Sequence, residues 1–173
     1  FIKSEAAKEF HMPKYIMRML KEYKLSFDIC GLILFLIIMI PNFIWFAVPA
    51  PNDVLRAASV TGTADMIASV CQVLMVIALC ILVNRKSGEN EESGTIHRRL
   101  WIVAVIICCL LYFACWAGYY TGIVNVVIIL GLTVSPCLAF LFFAVDRKNM
   151  IAVVPIFIFT ICHLIYGVVN YII

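Results

Sequence analysis

Charged residues are scarce in this chain: only 13% of its 173 residues are Asp, Glu, Lys or Arg, while 65% are hydrophobic. Soluble globular domains carry roughly 25% charged and about 45 to 50% apolar residues. The composition therefore excludes a soluble domain. It also excludes a disordered chain, a collagen, a coiled coil and a small disulfide scaffold.

Five long stretches are nearly free of charge, and none shows the alternation of period two that a transmembrane β-barrel requires. A helix needs about 20 residues to cross ~30 Å of hydrocarbon, and each stretch is long enough. The sequence therefore predicts an all-α polytopic membrane protein, a compact bundle of five transmembrane helices. The predicted spans are residues 27–48, 64–83, 100–119, 123–145 and 150–173.

Basic residues are nearly absent from every second connection between the spans. The loop after the first span has only Arg56, close to Asp53, and neither the third loop nor the C-terminus has any. The three basic clusters are Lys14, Arg18, Lys21 and Lys24; Arg85, Lys86, Arg98 and Arg99; and Arg147 with Lys148. Five spans place all three clusters on one side, which the positive-inside rule assigns to the cytoplasm. We expect a bacterial cytoplasmic membrane, with the N-terminus inside and the C-terminus outside.

The segment before the first span divides into two parts. Glu9-Phe10-His11-Met12 is what adjacent EcoRI and NdeI sites encode, so residues 1–11 are predicted to be a cloning linker and Met12 the natural start. A natural polar N-terminus is the alternative. Residues 12–26 alternate apolar and basic side chains at helical spacing, which predicts a cytoplasmic amphipathic helix in the headgroup plane. The basic residues expected to contact anionic lipid headgroups are Lys14, Arg18, Lys21 and Lys24. A positive anchor that merely orients the first span is equally compatible.

Motifs that carry catalysis or hold metals are missing. The eight cysteines form no Cys-x-x-Cys pair and lie in or beside the spans, which argues against a metal site and a disulfide framework. No predicted span contains Glu, and no Gly-x-Ser-Gly or His-Glu-x-x-His motif occurs. We therefore expect no enzyme activity, no cofactor, no metal and no nucleic-acid partner.

Polar side chains are present within the spans, and they concentrate in the halves predicted to be external. Each polar group in hydrocarbon needs a partner, so such a concentration indicates a function. The sequence predicts an outward-opening polar and aromatic pocket for a small, partly aromatic or cationic molecule. Its predicted lining is Asn42, Trp45, Asp65, Ser69, Gln72, Trp116, Tyr119, Asn125, His163, Tyr166 and Asn170.

Each of these residues also has a structural interpretation. Thr63 and Asp65 can stabilise the start of a helix, and the aromatic residues can form an interfacial belt. His163 and the asparagines can hydrogen-bond a neighbouring helix. His163 is the only histidine in a span; burial favours its neutral form, whereas a nearby Asp65 favours the imidazolium. The sequence leaves these alternatives open.

Two functions remain after these exclusions. The first is a small membrane protein that binds or carries a small molecule through the predicted pocket. The second is an accessory or sensor subunit without catalytic activity, which packs against another membrane protein or a second copy of itself. Pro41, Pro136 and Pro155 interrupt backbone hydrogen bonds inside their spans, either at a site or hinge or only to improve packing.

Overall fold

Five long helices account for most of the chain in the computed structural model, which describes residues 21–88 and 92–173, with the backbone alone at residue 88 and over residues 92–97. The helices are α1 (Ile29–Ala47), α2 (Gly62–Ile81), α3 (Glu92–Tyr120), α4 (Val126–Asp146) and α5 (Met150–Tyr171). Two short strands, β1 (Tyr23–Leu25) and β2 (Leu82–Asn84), and two 3-10 helices, Val54–Arg56 and Arg85–Gly88, complete the described elements.

All five helices are long and apolar enough to cross a membrane. Their most apolar windows have a mean hydropathy of 2.2 to 2.6, and in α3 the apolar part is Arg98–Tyr120. The prediction of an all-α membrane protein with five transmembrane helices is confirmed. The observed bounds differ from the predicted spans by only a few residues, since the length of an apolar run is a local property of the sequence.

The predicted amphipathic helix over residues 12–26 requires a correction. Residues 12–20 lie outside the described part of the chain, as do residues 1–11, but Tyr23–Leu25 form a strand. This strand pairs antiparallel with β2, with Tyr23 opposite Asn84 and Leu25 opposite Leu82. The Tyr23 hydroxyl is 3.3 Å from the backbone oxygen of Lys148 and accepts from the backbone N–H of Met150. Strand pairing and burial of one tyrosine therefore override the helical spacing over Tyr23–Leu25, whereas Lys21 is helical as predicted.

Helix α4 lies at the centre of the bundle. Half of its membrane window is buried inside the protein, compared with 17 to 33% for the other four helices. It packs along both α3 and α5, and α5 in turn packs along α2. Helix α1 is peripheral, because it contacts α2, α3 and α4 only over short stretches.

Glycines allow the helices to approach one another closely. Association of helices in lipid depends on tight packing, since lipid tails are as apolar as the side chains they replace. A Cβ atom at Gly31 of α1 would lie 2.8 Å from the backbone oxygen of Leu79 on α2. A Cβ atom at Gly167 of α5 would lie 2.5 Å from Cγ2 of Thr133 on α4. These two contacts therefore depend on the absence of a side chain.

The basic end of the bundle, which we define as residues 21–28, 82–88 and 147–149, is held together partly by the buried amide of Asn149. The side chain of Asn149 is 2% exposed, and its Nδ2 donates to the backbone oxygens of Ala78 at 2.9 Å and Leu82 at 2.8 Å. Its Oδ1 accepts from the backbone N–H of Ala152. Asn149 therefore satisfies the last carbonyls of α2 and caps the start of α5.

We predict that Gly31→Ala destabilises the protein by about 1 to 3 kcal/mol, because the new methyl group meets a backbone oxygen that cannot move independently of α2. The matched control is Gly62→Ala, since a Cβ at Gly62 meets nothing within 4 Å. That variant should be neutral or slightly stabilising. Unfolding in detergent, followed by tryptophan fluorescence, measures both; equal stabilities would contradict the close contact between α1 and α2.

Candidate functional site

A cavity of about 450 Å³ lies between α1 and α2 and extends inward to α4 and α5. Its walls are mainly apolar, with Met75, Pro136 and Phe140 among them. We call it the α1–α2 cavity. Its polar lining residues are Asn42, Asp65, Ser69, Gln72, Tyr112, His163 and Tyr166. The structure thus brings together six of the predicted pocket residues and adds Tyr112.

The cavity opens along the side of the bundle. Its described lining includes no residue of the connections 48–61 and 121–125, which we define as the loop end. The lining residues that are exposed are Phe46 on α1 and Ser69 on α2. The opening therefore lies between these two helices, in the half of the bundle nearer the loop end. The sequence predicted a pocket that opens to the outside; the opening described by the structure lies on the flank of the bundle, between α1 and α2.

Asp65 supplies the carboxylate of the cavity. Its oxygens accept hydrogen bonds from the hydroxyl groups of Ser59 at 2.5 Å and Thr61 at 2.9 Å. Among the described residues, no basic side chain forms an ion pair with it. Thr63 does not cap the helix, because α2 begins at Gly62 and Thr61 occupies the N-cap position. The Asp65 carboxylate is therefore held by neutral donors alone.

His163 and Gln72 contribute polar groups that lack protein partners. The imidazole ring of His163 stacks between Phe159, at 5.0 Å between centroids, and Tyr166, at 6.0 Å. Within the described chain, neither its ring nitrogens nor the Gln72 side-chain amide forms a hydrogen bond. His163 and Asp65 line the same cavity but form no ion pair within 4.0 Å. Because unsatisfied polar groups are costly in an apolar interior, these groups favour a bound polar molecule or water.

A second cavity of about 200 Å³ adjoins the first and shares Asn42, Tyr112, His163 and Tyr166 with it. We call it the inner cavity. The side chain of Asn42 donates to the Tyr112 hydroxyl at 2.8 Å and so links α1 to α3. The predicted residues Trp45 and Trp116 line this inner cavity, and the buried indole N–H of Trp116 has no hydrogen-bond partner in the described part of the chain.

Trp45 and Tyr119 also bind Asp53, a residue that the sequence analysis did not single out as functional. The carboxylate of Asp53 accepts from Trp45 Nε1 at 2.9 Å, from the Tyr119 hydroxyl at 2.8 Å and from Arg56 Nε at 2.8 Å. The Tyr119 hydroxyl in turn accepts from the backbone N–H of Leu55. The available signal was that Asp53 is the only acidic residue of its loop and precedes Arg56 by three positions. The Tyr119 hydroxyl therefore binds the loop through Asp53 and Leu55, and Tyr119 lines neither cavity.

Opposing effects act on the pKa of Asp53. Partial burial of its carboxyl group alone would raise the pKa. The hydrogen bonds from Trp45, Tyr119 and Arg56 stabilise the ionised form, and the net result is a pKa below the usual aspartate value. Asp53 is therefore an ionised anchor for three segments of the loop end.

Asn125 and Asn170 lie outside both cavities. Asn125 caps α4, because its side-chain oxygen accepts from the backbone N–H of Ile128 at 2.9 Å. Asn170 ties α5 to the loop between α1 and α2: its oxygen accepts from the Val60 N–H, and its amide donates to the Thr61 hydroxyl. Both side chains use their polar groups for the fold rather than presenting them to the predicted pocket.

Comparisons of the chain with protein-family models, with curated proteins and with solved structures found no match. Within the described residues, no group of three or more His, Cys, Asp or Glu side chains is placed to hold a metal ion. The geometry and chemistry of the α1–α2 cavity are therefore the basis from which a function can be inferred.

We predict that acid destabilises this protein partly through Asp53. A lowered folded-state pKa contributes stability above the unfolded value of about 3.9, and that contribution is lost as the pH falls through the folded-state pKa. The melting temperature should therefore fall as the pH drops below about 5. Asp53→Asn should melt lower at neutral pH and show a flatter acid dependence.

The control is Glu22→Gln, which removes a carboxylate at the basic end whose ion pair with Lys86 is largely exposed. Exposed ion pairs contribute little, so this variant should follow the wild-type profile. Parallel pH profiles for the wild type and Asp53→Asn would show that Asp53 is not the anchor described above.

Proposed function

We propose that this integral membrane protein binds, and carries, a small cationic or partly aromatic molecule in the α1–α2 cavity. The observation that supports the proposal is the polar content of this cavity within an otherwise apolar bundle. The cavity is lined by the carboxylate of Asp65, which has no basic partner among the described residues, by the imidazole of His163 and by the amides of Asn42 and Gln72.

The chemistry of the cavity favours a cation with an apolar or aromatic body. Asp65 offers negative charge, and the stacked rings of Phe159, His163 and Tyr166 offer an aromatic wall. A cation over an aromatic face gains roughly 0.5 to 2 kcal/mol. The volume of about 450 Å³ lies in the range of cavities that enclose small ligands, roughly 300 to 1,000 Å³.

The lateral opening favours an amphiphilic ligand that dissolves in the membrane. Such a molecule reaches the cavity between Phe46 and Ser69 without crossing the loop end. Its charged group would meet Asp65 near the start of α2, while its apolar part would contact Phe35 and Met39 nearer the centre of α1. The route and the polarity of the cavity therefore select the same class of molecule.

The proposed orientation places the basic end in the cytoplasm of a bacterial cell and the loop end outside. Pairing of β1 with β2, together with the contact of the Tyr23 hydroxyl with Lys148, gathers the described parts of all three basic clusters at one end. A membrane protein with its basic residues on one side generally keeps that side in the cytoplasm. The α1–α2 cavity then opens toward the external leaflet.

We predict that tetraphenylphosphonium, an aromatic lipophilic cation, stabilises the purified protein in a thermal-shift assay. Tetraphenylborate has nearly the same shape and the opposite charge, and it should give a much smaller shift. Asp65→Asn should weaken binding of the cation by about tenfold, since it removes one favourable charge interaction of about 1 to 1.5 kcal/mol.

Ser69→Phe should abolish binding by filling the opening, whereas Val70→Phe should leave it intact. Val70 is exposed beside Ser69 on the same helix but does not line the cavity. Equal shifts with the two ions, or equal binding by the two phenylalanine variants, would contradict the proposal. Absence of binding combined with stable co-purification of another membrane protein would favour the accessory-subunit alternative.

We predict that single cysteines at positions 58 and 87 react with a membrane-impermeant maleimide from opposite sides. Ala58 is exposed at the loop end and Ser87 lies at the basic end, and α2 separates them. In a background without the eight native cysteines, Ala58→Cys should label in intact cells. Ser87→Cys should label only after permeabilisation. The reverse result would invert the proposed orientation.

A further inference from the structure

An apolar groove of about 500 Å³ runs between α1 and α3 and reaches the basic end. We call it the α1–α3 groove. On α1 its wall includes Cys30, Ile33 and Ile37, whereas the α1–α2 cavity uses Phe35 and Asn42. At 100° per residue these two sets lie on opposite faces of the helix. The groove shares no lining residue with the cavity and therefore constitutes a separate site.

The wall that α3 contributes is a long stripe at helical spacing. It runs from Arg98 through Trp101, Val105 and Cys109 to Phe113, which is about 22 Å at 1.5 Å per residue. One leaflet contributes about half of the ~30 Å hydrocarbon core. One acyl chain of that leaflet therefore covers about two thirds of the stripe, and the apolar character of the stripe matches it.

The groove ends in charged groups with unused hydrogen-bonding capacity. Arg98, Asp146 and Arg147 line this end. Among the described residues, Arg98 and Asp146 form no hydrogen bond and no ion pair within 4.0 Å. Arg147 Nε lies 3.3 Å from a carboxylate oxygen of Asp28, yet no hydrogen bond forms there and the buried Nε has no other partner. Guanidinium groups bind phosphate well because their N–H donors match its oxygens in pairs.

We propose that the α1–α3 groove binds a phospholipid of the leaflet at the basic end, with an amine-bearing headgroup such as phosphatidylethanolamine. One acyl chain lies along the α3 stripe, and the phosphate accepts from Arg98 and Arg147. The headgroup ammonium donates to Asp146.

The balance of charge selects this headgroup. Two guanidinium groups and the two carboxylates of Asp28 and Asp146 lie at this end, so a zwitterion matches it better than an anion does. A choline headgroup has no N–H with which to donate to Asp146.

Native mass spectrometry of the purified full-length protein tests the proposal with phosphatidylethanolamine, phosphatidylcholine and phosphatidylglycerol of identical acyl chains. We expect preferential retention of the ethanolamine lipid. Arg98→Gln should lower retention of that lipid about tenfold, whereas Arg99→Gln should not. Arg99 carries the same charge on the next residue and does not line the groove. Asp146→Asn should remove the preference for ethanolamine over choline.

A second pair of variants tests the apolar part of the groove without changing charge. Ile106→Trp should displace the lipid by filling the groove, and Ile107→Trp should not, although both isoleucines are about half exposed. Circular dichroism and melting of each variant exclude misfolding as the cause. The proposal would be overturned by equal lipid retention in the two arginine variants or in the two isoleucine variants. A preference for phosphatidylglycerol, or a second protein copy bound in place of the lipid, would also overturn it. Tetraphenylphosphonium binding should survive Ile106→Trp, so that failure of the lipid proposal and failure of the cavity proposal remain distinguishable.

Discussion

A polar group in hydrocarbon must find its partner within the protein, and this constraint determines how the bundle is held together. The partners are gathered at two levels. At the basic end the Asn149 amide joins the last turn of α2 to the first turn of α5. At the loop end the Asp53 carboxylate joins α1, α3 and the loop through Trp45, Tyr119 and Arg56. Between these two levels few polar contacts join the helices, the bond from Asn42 to Tyr112 among them, and the bundle leaves room there for the α1–α2 cavity.

Peripheral placement of α1 explains where that room lies. Helices α3, α4, α5 and α2 pack along one another, whereas α1 touches its neighbours only briefly. Gly31 brings its first turns against Leu79, and the Asn42 amide fixes its later turns to Tyr112. Lipid-exposed helices lack a hydrophobic force that would close the remaining gaps, so α1 is bordered by open volume on both faces. The same arrangement gives a polar cavity on one side and an apolar groove on the other.

The sequence predicts the spans well because hydropathy is a local quantity. It also predicts which polar residues lie at the depth of the cavity, because side chains three and four residues apart share a helix face. Six pocket residues therefore meet as expected. The depth of a residue in the membrane does not determine which way its side chain points. Asn125 and Asn170 lie at the expected depth, but their side chains bind the chain at helix ends and loops instead of lining the pocket. The β1–β2 pairing joins residues about 60 positions apart, and the Asp53–Tyr119 bond joins residues 66 positions apart. No local pattern encodes such pairs.

The location of α1 between two clefts gives each face of this helix its own wall. Residues such as Phe35 and Asn42 line the α1–α2 cavity, whereas Cys30, Ile33 and Ile37 line the α1–α3 groove. A substitution on one face of α1 therefore changes the lining of one cleft and leaves the lining of the other unchanged. The two clefts can in this way diverge in sequence separately, although a single helix forms a wall of both.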